Sequence, residues 1–144
     1  MLNILQAYEE FTWENFTLIG KELSNIDREN INGELAQHPV LFQQYVALVA
    51  LSKRQLDELT ADLNLIASRL GEAYRSRNYP NKITAQQLNE LVGKDDEYVD
   101  AVASVTEANH RYLMVKGMVS ALEHKKDCLI QLSSNSRQET RLYS

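Results

Sequence analysis

AVASVTEANHRYLMVKGMVSALEHKKDCL, residues 101–129, spaces its apolar positions in a rhythm that suits a helix and no strand. Ala101, Val105, Ala108, Tyr112, Val115, Val119, Leu122, Lys126 and Leu129 follow one another in alternating steps of four and three. That spacing lays a heptad-like seam along one helix face, and Lys126 alone interrupts it. Just ahead of the seam, Asp95, Asp96 and Glu97 stand in the first turn, where the helix dipole favours negative charge. Lys125 and Lys126 lie nearer the other end, where it favours positive charge.

Upstream, a second stripe has the same character. Leu41, Tyr45, Leu48, Ser52, Leu56, Leu59, Leu63, Ile66, Leu70 and Ala73 recur in threes and fours, predicting a helix over about 39–77. Pro39 suits its first position, where a missing N–H costs nothing, and Pro80 closes the pattern. Between the two long helices, ITAQQL opens a short one: Thr84 and Gln87 have capping-box spacing, Ile83 and Leu88 that of a hydrophobic staple. Gly93 offers a left-handed stop. Nearer the N-terminus, Leu5, Tyr8, Phe16, Ile19 and Leu23 suggest an amphipathic helix that NING (30–33) breaks. The expected fold is all-α: an acidic N-terminal helical region over 1–38, a long antiparallel helical hairpin with its short connecting helix over 39–134 in the same domain, and a frayed tail over 135–144.

Two long helices in 144 residues leave much apolar surface to cover. Val99, Val102, Met114 and Met118 lie off the main seam. Self-association through Val105, Tyr112, Val115, Val119 and Leu122 would give burial to such a chain; the N-terminal helix folding over the off-seam residues is the alternative.

Composition narrows the function. The chain carries 20 acidic and 15 basic side chains, a net charge of −5. All of that excess sits in residues 1–40, with seven acids against Lys21 and Arg28. The lone Cys128 excludes an internal disulfide and suits a reducing, cytoplasmic setting. No run is long and apolar enough for a membrane span. His124 and Cys128 are half a metal site at most, and a buried cysteine beside a surface histidine explains them. There is no phosphate loop, nucleophile elbow or zinc-protease motif. No catalytic residue, metal or cofactor is expected.

Against the acidic background, RLGEAYRSRNYPNK (69–82) gathers Arg69, Arg75, Arg77 and Lys82 against Glu72 alone, with Tyr74 and Tyr79 interleaved. Guanidinium groups suit phosphates and tyrosines offer bases a stacking face, which is the chemistry of single-strand binding. Arginines at a helix C-terminus also satisfy the dipole and the last carbonyls, and Glu72 is placed to neutralise Arg69 within the helix.

Taken in order along the chain, Ile26-Asp27, Ala36, Leu41-Phe42 with Tyr45, SRL at 68–70, KDDEY at 94–98, Gly117 and Ala121 give it a pattern that resembles the UvsY family of phage recombination mediators. The likeness runs from Ile26 to about Glu139. It implies a helical subunit in a ring-like homo-oligomer, often a heptamer, that binds single-stranded DNA without sequence preference. It further implies a RecA-like recombinase and a single-strand binding protein as partners, and the cytoplasm of a phage-infected bacterial host cell as the setting. Arg69 stands where the family has its DNA-binding arginine, with Ala67 in place of a lysine. Within a repeated surface, Tyr74, Arg75, Arg77, Tyr79 and Lys82 would join Arg69 on the strand. The rival expectation is a helical structural or adaptor subunit of phage assembly, working through protein contacts only.

Overall fold

The computed structural model describes residues 12–143, apart from the Trp13 side chain. Among them are four α-helices and no strand: α1 (Trp13–Ser24), α2 (Ile31–Asn78), α3 (Ala85–Lys94) and α4 (Asp96–Tyr143), with a 3-10 turn at Arg28–Asn30 before α2. The chain is all-α, with two long helices and a short one between them. Leu5 and Tyr8 of the expected N-terminal pattern lie outside the described residues. The contacts form two compact units, one made of residues up to Leu51 and from Leu113 onward, the other of Ser52–Tyr112.

In the first unit α1, the start of α2 and the end of α4 pack together. Thr12 caps α1 by accepting from the Asn15 N–H at 3.3 Å. Phe16, Ile19 and Leu23 then fall on one face and pack against Leu48, Met114, Val115 and Met118. A methyl at Gly20 would stand 3.5 Å from the end of the Met118 side chain, so α1 approaches α4 closely there. Met114 and Met118, off the main seam, are therefore covered by the chain's own N-terminal helix. Each buried side chain of this size contributes about 1.5–3 kcal/mol by leaving water.

Two expectations about this unit are corrected. NING does not break a helix; it begins one. The break falls at residues 25–27, after which the Asp27 carboxylate accepts from the Glu29 N–H at 3.0 Å and starts the 3-10 turn that leads into α2. Gly33 serves close approach, because a Cβ there would sit 2.4 Å from Asn30 Oδ1. The long helix thus begins at Ile31 and holds Pro39 inside it. An interior proline forfeits a backbone hydrogen bond and strains the preceding turn. Tertiary contacts beside it offset the loss: His38 is buried, its Nε2 lies 2.7 Å from the Leu122 carbonyl oxygen, and its ring stacks on Phe42.

The expected frayed tail is helical to Tyr143. No glycine or proline follows Gly117, and side chains bond along the last turns, Arg137 Nε to the Ser133 carbonyl and Thr140 Oγ1 to the Ser136 carbonyl. The seam's one interruption is also reassigned. Lys126 is exposed, and Lys125 turns inward, its side chain 9% exposed and its Nζ 3.4 Å from Glu34 Oε1. The second Glu34 oxygen accepts the Asp27 N–H, so one carboxylate ties α4 to the start of α2.

In the second unit, α2 and α4 again run antiparallel, with Lys53 beside Tyr112 and Arg69 beside Glu97. Leu70, Leu88, Val92 and Ala108 are buried there. Ser52, which fills the step between Leu48 and Leu56, is fully buried, and its hydroxyl has no partner among the described residues. The capping box forms: Thr84 accepts from the Gln87 N–H at 3.2 Å, and Gln87 answers the Thr84 N–H at 3.2 Å. Gly93 is not the stop, for no residue has positive φ among those described. Instead α3 continues to Lys94 and closes with the Asp95 N–H on the Val92 carbonyl. A methyl at the buried Gly71 would stand 3.8 Å from Leu88, which is how α3 seats on α2.

The apolar positions proposed for contacts between copies are mostly used within the chain. Val115 and Leu122 are 0% exposed within the single chain. Val105, Tyr112 and Val119 are half-buried. Val99 and Val102 stay open, at 49% and 37% exposure.

Candidate nucleic-acid interface

The stretch 69–82 spans the last turns of α2 and the connector to α3, all within the second unit. Helical spacing sets Tyr74 and Arg77 on one face, and the Arg77 guanidinium lies 5.2 Å from the Tyr74 ring centroid. The Tyr74 hydroxyl donates to Asp95 Oδ2 at 2.8 Å. Arg69 Nη2 donates to Glu97 Oε1 across the helix pair, and the two form an ion pair. Arg69 is therefore held by Glu97 from α4, and the expected partner Glu72 on its own helix makes no ion pair among the described residues. An antiparallel register explains the choice: sixteen residues up α2 from Lys53 arrive opposite the residue fifteen before Tyr112.

Two protonation equilibria record the arrangement. The Asp95 carboxyl lies below its ordinary value, first because the Tyr74 hydroxyl donates to it, then through the backbone N–H groups of Glu97 and Tyr98 and the nearby Arg77 charge, with burial opposing. Tyr74 is raised, chiefly by the same bond to Asp95.

The six candidate residues divide evenly. Arg69, Tyr74 and Arg77 are engaged with α4 or with one another. Arg75, Tyr79 and Lys82 are exposed, Tyr79 at 83%, and neither Arg75 nor Lys82 forms an ion pair with a described residue. Both sets belong to one short segment; all four of its cations are exposed, and Arg75 at the end of α2 and Lys82 in the connector are the two without an ion-pair or ring partner among the described residues. Of the other cations in these helices, Lys53 and Arg54 pair with Asp57 and Glu58 one turn on, and Lys125 is the inward lysine of the Glu34 pair. Lys126 remains exposed.

Sequence reasoning missed two features. Asp95 and Glu97 read as dipole-compensating carboxylates, yet they are also the partners of Tyr74 and Arg69. The register of the helix pair, extrapolated from the two seams, was the signal for them. In the first unit, Arg28 and Arg137 line one cleft with Asn30, Asn32, Ser133 and Ser136. Residues so far apart in sequence meet only through the fold, and no spacing announces them.

Among the described residues, no cluster of three or more histidine, cysteine or acidic side chains can hold a metal ion. Cys128, expected to be buried, is exposed, because its position on α4 lies off the seam that holds Leu122 and Leu129. No helix among the described residues is long and apolar enough to cross a membrane. Neither protein-family models, nor curated proteins, nor solved structures yield a match to this chain.

Proposed function

We propose that the protein is a non-enzymatic recombination mediator that binds the backbone of single-stranded DNA through the α2–α3 connector. The observation carrying this reading is the exposed group of Arg75, Tyr79 and Lys82, in the same fourteen-residue segment as Arg69, Tyr74 and Arg77. Cations of this kind bond phosphates, and a solvent-facing tyrosine offers any base a face, so the recognition is indifferent to sequence. A net charge of −5 does not forbid it, because exposed charges are screened beyond about 8–10 Å at physiological salt. Following the resemblance to the UvsY mediators, the protein acts as a homo-oligomer, in a ring such as a heptamer, so that one weak site is repeated and gains effective concentration. It loads a RecA-like recombinase in place of a single-strand binding protein, in the cytoplasm of a phage-infected bacterium, by strand wrapping and hand-off with no covalent step.

A second reading has its own observation. Arg69, which stands where the family has its DNA-binding arginine, is occupied by Glu97, and Tyr74 by Asp95. Under that reading the segment stabilises a helix end in a structural or adaptor subunit that works through protein contacts.

Titration of a fluorescent oligothymidylate at two salt concentrations separates the two. A mediator binds it with a slope of log K against log salt steeper than about −2, since each single-strand phosphate contact contributes about −0.7. Replacing Arg75 and Lys82 by glutamate abolishes that binding and leaves the helical content intact. An oligonucleotide left free at low salt by the wild type and by every variant would overturn the mediator reading and leave the adaptor reading standing.

A further inference from the structure

We infer that Asp95 and Glu97 form an internal latch on the strand-binding cluster, holding Arg69, Tyr74 and Arg77 until a phosphate backbone displaces the two carboxylates. The inference rests on the strand-binding function proposed above and concerns how that site is regulated.

The geometry carries it. Both carboxylates belong to one short segment at the α3–α4 junction, Asp95 just before α4 and Glu97 in its first turn, and each engages a different group of the cluster: Glu97 takes Arg69, and Asp95 takes the Tyr74 hydroxyl. Arg77 lies over the Tyr74 ring and its charge acts on Asp95, so the third member is drawn to the same anion. A carboxylate and a phosphate ask the same thing of a guanidinium, two parallel N–H donors. What occupies the cluster is thus the nearest intramolecular equivalent of a strand's phosphates.

The latch is also built to yield. The Arg69 and Glu97 side chains are 62% and 48% exposed, and exposed ion pairs are weak. Asp95 is the only residue between α3 and α4, with extended backbone at φ −65° and ψ 131°, so the segment bearing both carboxylates begins at a break in the helix. Arg75 and Lys82, outside the latch, remain free to make first contact. Binding would then proceed in two stages: capture of the backbone at the exposed connector, followed by exchange of carboxylates for phosphates at Arg69 and Arg77. Linkage requires the reverse as well, so that a closed latch weakens strand binding by the factor by which the strand opens it.

The test compares two double variants of equal charge. Asp95→Asn with Glu97→Gln removes both latch carboxylates and keeps a good capping residue at position 95. Asp96→Asn with Asp100→Asn removes two exposed carboxylates of the same helix that make no ion pair with a described residue. Circular dichroism verifies that both fold, and Glu97→Gln alone serves as a milder latch variant. Oligothymidylate titration of the latch variant is expected to show about tenfold tighter binding at a salt slope close to that of wild type, because both complexes end with Arg69 and Arg77 on phosphates and differ only in the carboxylates that the strand must displace. The control is expected to shift by less than about threefold with its slope unchanged, because it alters only the screened field. A silent wild type with a binding latch variant supports the latch in its strongest form. Wild-type binding with equal shifts in both double variants overturns the latch and leaves strand binding standing. Absence of binding in every variant overturns both.

Discussion

Replacing Lys125 by methionine tests the central reassignment in the first unit. The apolar seam of α4 is interrupted at Lys126, yet the structure turns its neighbour Lys125 inward, where its Nζ lies 3.4 Å from Glu34 Oε1. Methionine keeps the length of the stem and deletes the charge, leaving Glu34 as an anion with the Asp27 N–H as its remaining partner among the described residues. Breaking a fully buried pair in this way costs about 3–5 kcal/mol. Here Glu34 is 22% exposed and retains one hydrogen bond, which lowers the expected cost to about 2 kcal/mol. With a urea dependence of roughly 1–3 kcal/mol/M, the midpoint followed by circular dichroism falls by about 1 M. Adding Glu34→Leu to make both positions apolar should recover most of the loss, because a buried pair replaced as a unit is close to neutral. Lys126→Met, at an exposed position, stays within about 0.5 kcal/mol. Equal costs at 125 and 126, or a double variant worse than Lys125→Met, would refute the inward placement of Lys125.

Val115→Asp should unfold the first unit without yielding a folded smaller species, since Val115 is 0% exposed within the chain; light scattering together with melting distinguishes this from dissociation at an interface. If copies associate through the open face of α4, Val99→Asp with Val102→Asp reduces the solution mass toward 16.5 kDa and leaves the melting temperature nearly unchanged. Tyr45 is half-buried and its phenol is raised above 10.0, by burial first and then by the Glu22 charge. Its folded value therefore exceeds its unfolded one, so it contributes stability below pH 10.0 that is lost as pH rises through the raised value, and Tyr45→Phe flattens that alkaline loss in pH-dependent denaturation. Asp95 behaves in the opposite sense: its lowered carboxyl contributes above its ordinary 3.8 and the contribution fades as pH falls through the depressed value, which NMR titration of the Asp95 carboxyl in wild type and Tyr74→Phe resolves.

Periodicity alone determined the α2 stripe. Every position assigned to it from Leu41 to Ala73 is buried or half-buried, because each residue's neighbours at three and four positions are fixed by helix geometry whatever surrounds them. The capping box at Thr84 was equally legible, since its partners lie three residues apart. What the sequence left open were quantities that depend on another segment. Pro39 reads as a helix start by its own chemistry, and only His38 reaching Leu122 shows why the helix tolerates it in the interior. Two lysines side by side carry equal local claims to the solvent, and the position of Glu34 chooses between them. Methionines off the seam are equally suited to a second copy or to α1, and α1 covers them. The basic segment is the sharpest case. Its charge and its tyrosines are written in fourteen consecutive residues, yet which of these groups already have a partner is set by Asp95 and Glu97, which the antiparallel register of α2 and α4 brings alongside. Charge density is a property of the chain; its availability depends on which carboxylates the fold places within a few ångströms.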